Sequence, residues 1–387
     1  MTQHDDLTTR LRRQLHEQAD DWHGAPLTLE TVRGRAHAIR RRRAALTAGA
    51  VVAAVAAILV PTALLGDSTG RADRDPAPVD TPSVAVDDAS GVGVPYLEGH
   101  TLTMPDGTER RLLKTYDDVV VWDEEVLGLR REPATSEHEL DRVADDGTVE
   151  ETMELGGHGI TRNSDGSAIA YTTRDGDLVV ESADGQVDLG DVGDARPLRL
   201  LGGPGCTGGA DDCVVYYEDG RRTRLLSSSG ETAEVAEDAL AVHDVSETGL
   251  ISVLTSIDER EPGSCSEIRD SQTSETVREI CDHTPSRFSP DGSYLTALPA
   301  YLSGIGPSEI AILDALSGEE LAAYRPRDGY VSDSRSVWED ADHLLVMAHD
   351  AGTWSVVRLG VDGSRERVLG PTRGSEMDPP WVLTGPG

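Results

Sequence analysis

Short turns of the Asp-Gly or Ser-Gly type recur along the last three quarters of this chain, and their rhythm constrains the fold more than any other feature. Gly, Asp and Ser supply the backbone angles that tight turns between strands require. The turns are 38 to 45 residues apart and lie at Asp106-Gly107, Asp146-Gly147, Asp184-Gly185, Ser229-Gly230, Thr273-Ser274, Ser317-Gly318 and Asp362-Gly363. Such a period in a β-rich sequence indicates one four-stranded unit per repeat. We therefore predict an all-β fold, a seven-bladed β-propeller, with six or eight blades as alternatives.

The first repeat has only three strand-like segments, at residues 94–97, 100–104 and 108–113. A fourth segment, Trp381-Val382-Leu383, follows two prolines near the other end of the chain. Pairing the two ends in one blade would remove the free edge of the ring. We therefore expect the C-terminal strand to close the propeller.

An uncharged stretch of Ala, Val, Leu and Ile at residues 44–65 is long enough to cross a bilayer as a helix. Arginines dominate the flank before it, which predicts that residues 1–43 form a cytoplasmic stub. Leu7, Leu11 and Leu15 give this stub a helical spacing, and residues 66–93 have the Pro- and Asp-rich composition of a disordered stalk. These segments predict a single-pass membrane protein whose propeller, residues 94–387, is extracytoplasmic. A cleaved signal peptide is the alternative.

The chain is strongly acidic, with a formal net charge of −35. The negative charge lies after residue 43, since the stub itself has more Arg than Asp and Glu. An acidic surface repels phosphate backbones, so we expect no nucleic-acid partner.

The four cysteines form two close pairs in the sequence, Cys206 with Cys213 and Cys265 with Cys281. Cys265 and Cys281 are mirror positions about the turn at residue 273, so they would face each other across a hairpin at bridging distance. In an oxidising compartment both pairs are predicted disulfides. Four buried free thiols in a cytosolic protein are the alternative.

The turn Phe288-Ser289-Pro290-Asp291-Gly292, followed by Tyr294-Leu295, resembles the TolB-type WD40-like propeller repeat, and Ser164-Asp165-Gly166 is a shorter version of it. The order of Arg-rich stub, apolar segment, Pro/Asp stalk and acidic repeats is similar to that of actinobacterial single-pass membrane propeller proteins. The resemblance implies propeller geometry over residues 94–387 and implies no particular ligand.

Strands that alternate in direction place all the Asp-Gly turns on one face of the ring and the variable loops on the other. Binding residues are more often found on irregular loops than on regular turns. The longest variable loops are residues 131–139, 256–264 and 299–308. The predicted partner-binding residues in them are Tyr301, Leu302, Ile305, Arg131 and His138. A loop folded over its own blade is the alternative for the apolar residues among them.

No cofactor or metal ligand is predicted, because the acidic clusters lack a calcium-loop pattern and the cysteine pairs lack zinc spacing. No catalytic residue is predicted, because Gly166 and Gly292 directly follow an aspartate and do not fit the Ser-x-Asp-x-Gly boxes of sialidase-like propellers. The favoured function is therefore a non-enzymatic binding module for an envelope protein or glycan at the cell membrane. One alternative is a signalling protein whose residues 1–43 regulate a cytosolic partner such as a sigma factor. A hydrolase or lyase in the propeller channel is the third hypothesis.

Overall fold

The computed structural model describes residues 91–122, 125–132, 137–156, 159–203, 206–207, 213–220, 222–258, 263–300 and 306–385. These ranges belong to one compact unit. No helix among them is long and apolar enough to cross a membrane. The predicted stub (1–43), membrane helix (44–65) and all but the end of the predicted stalk (66–93) lie outside the described residues, so those boundaries stay predictions.

The described chain forms seven antiparallel sheets, which are the seven blades of the predicted propeller. The strands of the first four blades, in chain order, are β1 Tyr96–Glu98, β2 Thr101–Thr103, β3 Glu109–Arg111, β4 Asp118–Trp122, β5 Glu125–Arg131, β6 His138–Val143, β7 Val149–Leu155, β8 Thr161–Arg162, β9 Ala168–Thr172, β10 Asp177–Ser182, β11 Gly185–Asp191, β12 Arg196–Leu201, β13 Val214–Asp219, β14 Arg222–Ser227 and β15 Thr232–Val235. The remaining strands are β16 Ala241–Val245, β17 Leu250–Asp258, β18 Gly263–Asp270, β19 Thr276–Ile280, β20 His283–Phe288, β21 Tyr294–Pro299, β22 Ile310–Asp314, β23 Glu320–Tyr324, β24 Gly329–Val331, β25 Val337–Trp338, β26 His343–Asp350, β27 Thr353–Gly360, β28 Arg365–Arg373 and β29 Trp381–Leu383.

Six blades have four strands, and the last has five because its inner strand is divided into β24 and β25. A short 3-10 helix, Asp333–Arg335, lies between these two pieces, and both pair with β26. Middle strands such as β9 are buried along their whole length, whereas outer strands such as β7 have mostly exposed residues. The difference in burial arises because a middle strand packs against the neighbouring blades on both of its faces.

The predicted closure of the ring is confirmed. Strand β29 pairs with β1 in the order β29-β1-β2-β3, with Leu97 opposite Val382. Thr384 extends this pairing, because its backbone N–H and its side-chain hydroxyl both donate to the carbonyl of Pro95. The first blade is therefore built from both ends of the propeller sequence.

The core consists of seven separate apolar clusters, and each lies between two neighbouring blades. The cluster between the seventh and first blades joins Met347 and Trp354 to Trp381 and Leu383. The ring is thus held together by side-chain packing at every blade interface, including the one that joins the chain ends. Seven interfaces among the described residues agree with seven blades.

The recurring turns are stabilised by their own aspartates. The Oδ1 atoms of Asp106, Asp146 and Asp362 each accept a hydrogen bond from the backbone N–H two residues later. The side-chain hydroxyl and backbone N–H of the residue two positions later together lower the pKa of the three carboxyl groups, with the hydroxyl the larger cause at Asp146 and Asp362 and the N–H at Asp106. At the fifth turn Ser274 takes the left-handed conformation (φ 59°) that Gly adopts elsewhere, while Asp270 caps the turn. Local turn chemistry explains the repeat without any functional role.

We name the two faces of the ring by their connections. The turn face carries the links from the inner strand to the second strand and from the third to the fourth, as at Asp291-Gly292 and Asp146-Gly147. The loop face carries the links from the second strand to the third, including those of β5–β6 and β21–β22. One long connection differs from the predicted arrangement, because the connection from β12 to β13 begins after Leu201 and ends before Val214 on the turn face.

Both predicted disulfides are present. Cys265 and Cys281 lie opposite each other in the β18–β19 hairpin, one position beyond the Ser266–Ile280 pair, with their Cα atoms 4.1 Å apart. Cys206 and Cys213 are joined within the β12–β13 connection. All four cysteines of the chain are therefore paired.

Removing the β18–β19 disulfide should destabilise the propeller. In the double variant Cys265→Ser with Cys281→Ser we expect a loss of about 3 kcal/mol in the free energy of unfolding, because the bridge closes a loop in the unfolded chain. The change is measured by urea denaturation. The variant without Cys206 and Cys213 is the comparison, and its shorter loop should cost slightly less. An unchanged urea midpoint for both variants would contradict the structural role.

Candidate functional site

The innermost strands of the blades surround a central channel, and all seven blades contribute to one cavity in it of about 350 Å³. Its walls include five arginines and three aspartates: Arg162, Arg196, Arg199, Arg287, Arg335, Asp117, Asp118 and Asp244. We call this cavity the arginine compartment. Several lining residues lie at the beginnings of inner strands, namely Asp117, Gly159 and Arg196. Because inner strands begin on the loop face, the compartment opens on that face. An excess of cationic groups in a chain of net charge −35 makes this the most distinctive site among the described residues.

Arg162 lines the arginine compartment and is held by hydrogen bonds to groups of the protein. Its Nη2 atom donates to Asp118 Oδ1 at 2.9 Å and to the carbonyl of Val119 at 2.7 Å. Its Nη1 atom donates to the carbonyl of Gly385 at 3.3 Å. Arg162 therefore fixes the second, third and first blades around the channel axis and is a structural residue.

Asp244 is a buried carboxylate whose two oxygens are both used by backbone groups. Oδ1 accepts from the N–H of Val245, and Oδ2 accepts from the N–H of Phe288 in the next blade, each at 2.8 Å. Burial raises the pKa of this carboxyl group, while the charge of Arg199 and these hydrogen bonds act in the opposite direction. Asp244 thus links the fifth and sixth blades and supplies a nearby negative charge to Arg199 without a hydrogen bond to it.

Arg199 is the exception among the channel arginines. Its side chain is only 3% exposed, yet its Nε and Nη2 atoms have no hydrogen-bond acceptor among the described protein groups. A guanidinium group has five N–H donors in a rigid fork that matches carboxylate and phosphate oxygens. Buried polar groups almost always have partners, so two unsatisfied donors on one buried cation require a specific explanation.

His243 lies beside Asp244 on β16 and also lines the arginine compartment. Burial lowers the pKa of its imidazole, and the carboxylates of Asp333 and Asp244 oppose this effect only in part. Its Nε2 atom is buried and has no protein partner among the described groups. A neutral imidazole in this position offers one further polar contact to the compartment.

A second cavity of about 400 Å³ lies at the turn-face end of the channel. It shares Arg162 and Gly385 with the arginine compartment, but its other charged residues are Asp165, Glu339 and Asp340. Glu339 is already paired, since its Oε1 atom accepts from Arg358 Nη2 at 2.8 Å. The channel is therefore polar along its axis, with arginines toward the loop face and carboxylates toward the turn face.

Two of the predicted partner-binding residues lie together in the structure. Arg131 at the end of β5 is directly opposite His138 at the start of β6, where the loop of the second blade begins and ends. The Arg131 backbone N–H donates to Asp117 Oδ2 at 3.1 Å, which connects this pair to the rim of the arginine compartment. Tyr301, Leu302 and Ile305 lie outside the described residues. The binding role of all five stays a prediction.

One further group brings possible metal-ligand atoms together. His283, Glu309 and Glu320 of the sixth blade have ligand atoms within 4.8 Å of one another. Glu309 is ion-paired with Arg325, and the imidazole of His283 lies 3.4 Å from a Glu320 oxygen. These pairings explain the cluster as a local ion-pair network.

Sequence reasoning missed the arginine compartment, because its residues come from inner strands spread over more than 200 positions. A signal was present at Arg199, which stands between Leu198 and Leu200 in a strand that a packed blade should make apolar. A charged residue at a buried strand position indicates that its side chain either has a polar partner or lines a channel.

Comparisons with known proteins assign no family to this chain. No protein-family model matches the chain, and no curated protein matches it. Among solved structures it is similar to the Dos1 propeller, with 9% sequence identity and a TM-score of 0.44 over 73% of this chain and 85% of that one. The strand pairing itself establishes the seven-bladed propeller, and no family is assigned.

Proposed function

We propose that this chain is a non-enzymatic binding module at the cell envelope, anchored by residues 44–65 and presenting its propeller outside the cytoplasm. A β-propeller is consistent with protein binding. The proposed ligand-binding side is the loop face, where the variable loops and the arginine compartment open together.

The observation that carries this proposal is the pairing of all four cysteines in two disulfides. Structural disulfides form and persist in oxidising compartments and are rare in the cytosol. The proposed orientation of the anchor follows independently from the arginines that precede residue 44. Two unrelated features therefore support an extracytoplasmic propeller.

Binding is favoured over catalysis by how the channel groups are engaged. Asp118 and Asp244 accept hydrogen bonds from backbone N–H groups or from arginine, and Arg162 and Arg287 donate to backbone carbonyls. General acid–base or nucleophilic catalysis needs a reactive group held within hydrogen-bond reach of its activating partner. The described channel groups instead form a cationic recess suited to holding a ligand.

The loop-face proposal is tested with the double variant Tyr301→Ser with Leu302→Ser in the full chain. We expect about a tenfold loss of capture of envelope proteins or glycans, since a few aromatic and apolar side chains carry most of the energy of an interface. The matched control is Leu316→Ser in the β22–β23 turn of the same blade, which is 63% exposed on the opposite face. Equal capture by all three proteins, or a large loss of thermal stability in the double variant, would contradict the proposal.

The signalling alternative is favoured by the helical spacing of Leu7, Leu11 and Leu15, which could form a cytosolic docking face. Deleting residues 1–30 while keeping the anchor separates the two functions. A binding module retains ligand capture and its cellular role after the deletion. A signalling protein retains capture but loses its cellular role.

A further inference from the structure

We propose that the arginine compartment binds a small oxyanion, a phosphate or carboxylate group, with Arg199 as its central ligand. This inference rests on the binding role proposed above and deepens it by naming the class of ligand. It does not depend on the membrane anchor or on the loop residues Tyr301 and Leu302.

The first support is the state of Arg199 itself. A cation that is 97% removed from solvent loses its hydration and must regain that energy from hydrogen bonds or opposite charge. The carboxylate of Asp244, which interacts electrostatically with Arg199, directs both oxygens to backbone N–H groups. The Nε and Nη2 atoms of Arg199 therefore point to an acceptor outside the described protein groups. Two donors on one guanidinium edge match the two oxygens of a carboxylate or phosphate.

The second support is the composition of the surrounding wall. Arg196, Arg287 and Arg335 line the same cavity, and His243 adds a buried Nε2 atom without a protein partner among the described groups. Arginines outnumber aspartates five to three in this wall, although the chain as a whole is strongly acidic. In a recess with low-dielectric walls such a local excess attracts anions.

The volume of the compartment and the net charge of the chain indicate that the ligand is a small molecule or the terminal group of a larger one. A cavity of about 350 Å³ is in the lower range of small-molecule sites. The net charge of −35 repels extended polyanions such as nucleic acids before they can reach the channel. A compact oxyanion, free or at the end of a glycan or peptide, experiences less of this repulsion.

The experiment is a thermal-unfolding titration of the full chain in detergent with inorganic phosphate, citrate or glucose. Sodium chloride at matched ionic strength controls for general salt effects. We expect phosphate or citrate to raise the melting temperature by roughly 5 °C at a hundred times its dissociation constant, and glucose to leave it unchanged. The anion with the larger shift identifies the chemistry of the natural ligand group. No shift beyond that of sodium chloride with either anion would overturn the proposal.

Arg199→Met should abolish the anion-dependent shift, and Arg199→Lys should weaken it, because lysine keeps the charge but loses the planar fork. The matched control is Arg222→Met on the outer part of the same blade, where the exposed arginine pairs with Glu234. This control should keep the full shift. If Arg199→Met does not fold, the anion-dependent shift in melting temperature of Arg199→Lys is compared with that of the wild type, and this comparison decides whether Arg199 binds the anion. A full shift in a folded Arg199→Met variant would overturn the assignment. An intact anion shift together with equal envelope capture by the wild type and the Tyr301→Ser, Leu302→Ser variant would contradict only the loop-face role.

Discussion

Replacing Trp381 with Ala should lower the free energy of unfolding by roughly 3–5 kcal/mol, the range for truncating a large buried aromatic side chain. Trp381 is 3% exposed and lies on the three-residue strand β29, which supplies the inner strand of the first blade. Its ring packs with Met347 and Trp354 of the seventh blade. The substitution therefore weakens both the blade and the interface that closes the ring.

Urea unfolding followed by tryptophan fluorescence measures this loss. The control is Met377→Ala, four residues earlier in the chain, whose side chain is 90% exposed and should contribute almost nothing. Deleting residues 378–387 removes the whole closing strand and should leave the propeller sensitive to protease. Equal protease resistance with and without these residues would show that the ring does not depend on end-to-end closure.

The second large effect is expected at Asp141, a carboxylate with 0% exposure on β6. Its Oδ2 atom accepts from Lys114 Nζ at 2.9 Å, Arg130 Nε at 3.0 Å and the Tyr116 hydroxyl at 3.2 Å. Its Oδ1 atom accepts from Thr152 at 2.6 Å. Asp141→Asn leaves buried donors around a neutral group, so we expect a loss of about 3 kcal/mol in the free energy of unfolding.

The matched control is Asp145→Asn, which breaks only the exposed ion pair with Arg110 and should change stability by less than about 1 kcal/mol.

The pH dependence of stability gives a further test of the Asp141 network. Burial opposes ionisation of Asp141, but the bonds from Thr152, Lys114 and Arg130 outweigh it and lower the pKa of the carboxyl group. Its contribution is therefore complete above the unfolded-state value of about 3.9 and disappears as the pH falls through the lower folded-state value. The wild type should lose more stability than Asp141→Asn between pH 5 and pH 3. Parallel pH profiles would contradict the network.

The blade count could be predicted from sequence because turn chemistry is local. An aspartate that caps the backbone two residues later, followed by a residue with positive φ, needs no information from the rest of the chain. The closure of the ring and the Cys265–Cys281 disulfide could also be predicted from sequence, because each depends on which residues face each other within one hairpin or one blade.

The arginine compartment could not be predicted in this way, because a channel wall depends on seven inner strands that are distant in sequence. Arg199, Asp244 and Arg287 become neighbours only when the blades are arranged in a ring. The split inner strand of the seventh blade was missed for a related reason. The 3-10 helix at Asp333–Arg335 replaces a regular strand there and brings Arg335 to the channel, where its Nη1 atom donates to the carbonyl of Asp117.

The most direct test of an exported, disulfide-linked propeller is thiol labelling in intact cells that express the full chain. A membrane-impermeant reductant is added first, followed by an impermeant maleimide that increases the mass of the protein for each thiol modified. We predict no labelling without the reductant and labelling of the accessible pair Cys265 and Cys281 after it. The buried Cys206 and Cys213 should react only when the protein is unfolded in the presence of the reductant. Thiols that react without reductant, and only after the cells are lysed, would place the propeller in the cytoplasm and contradict the account.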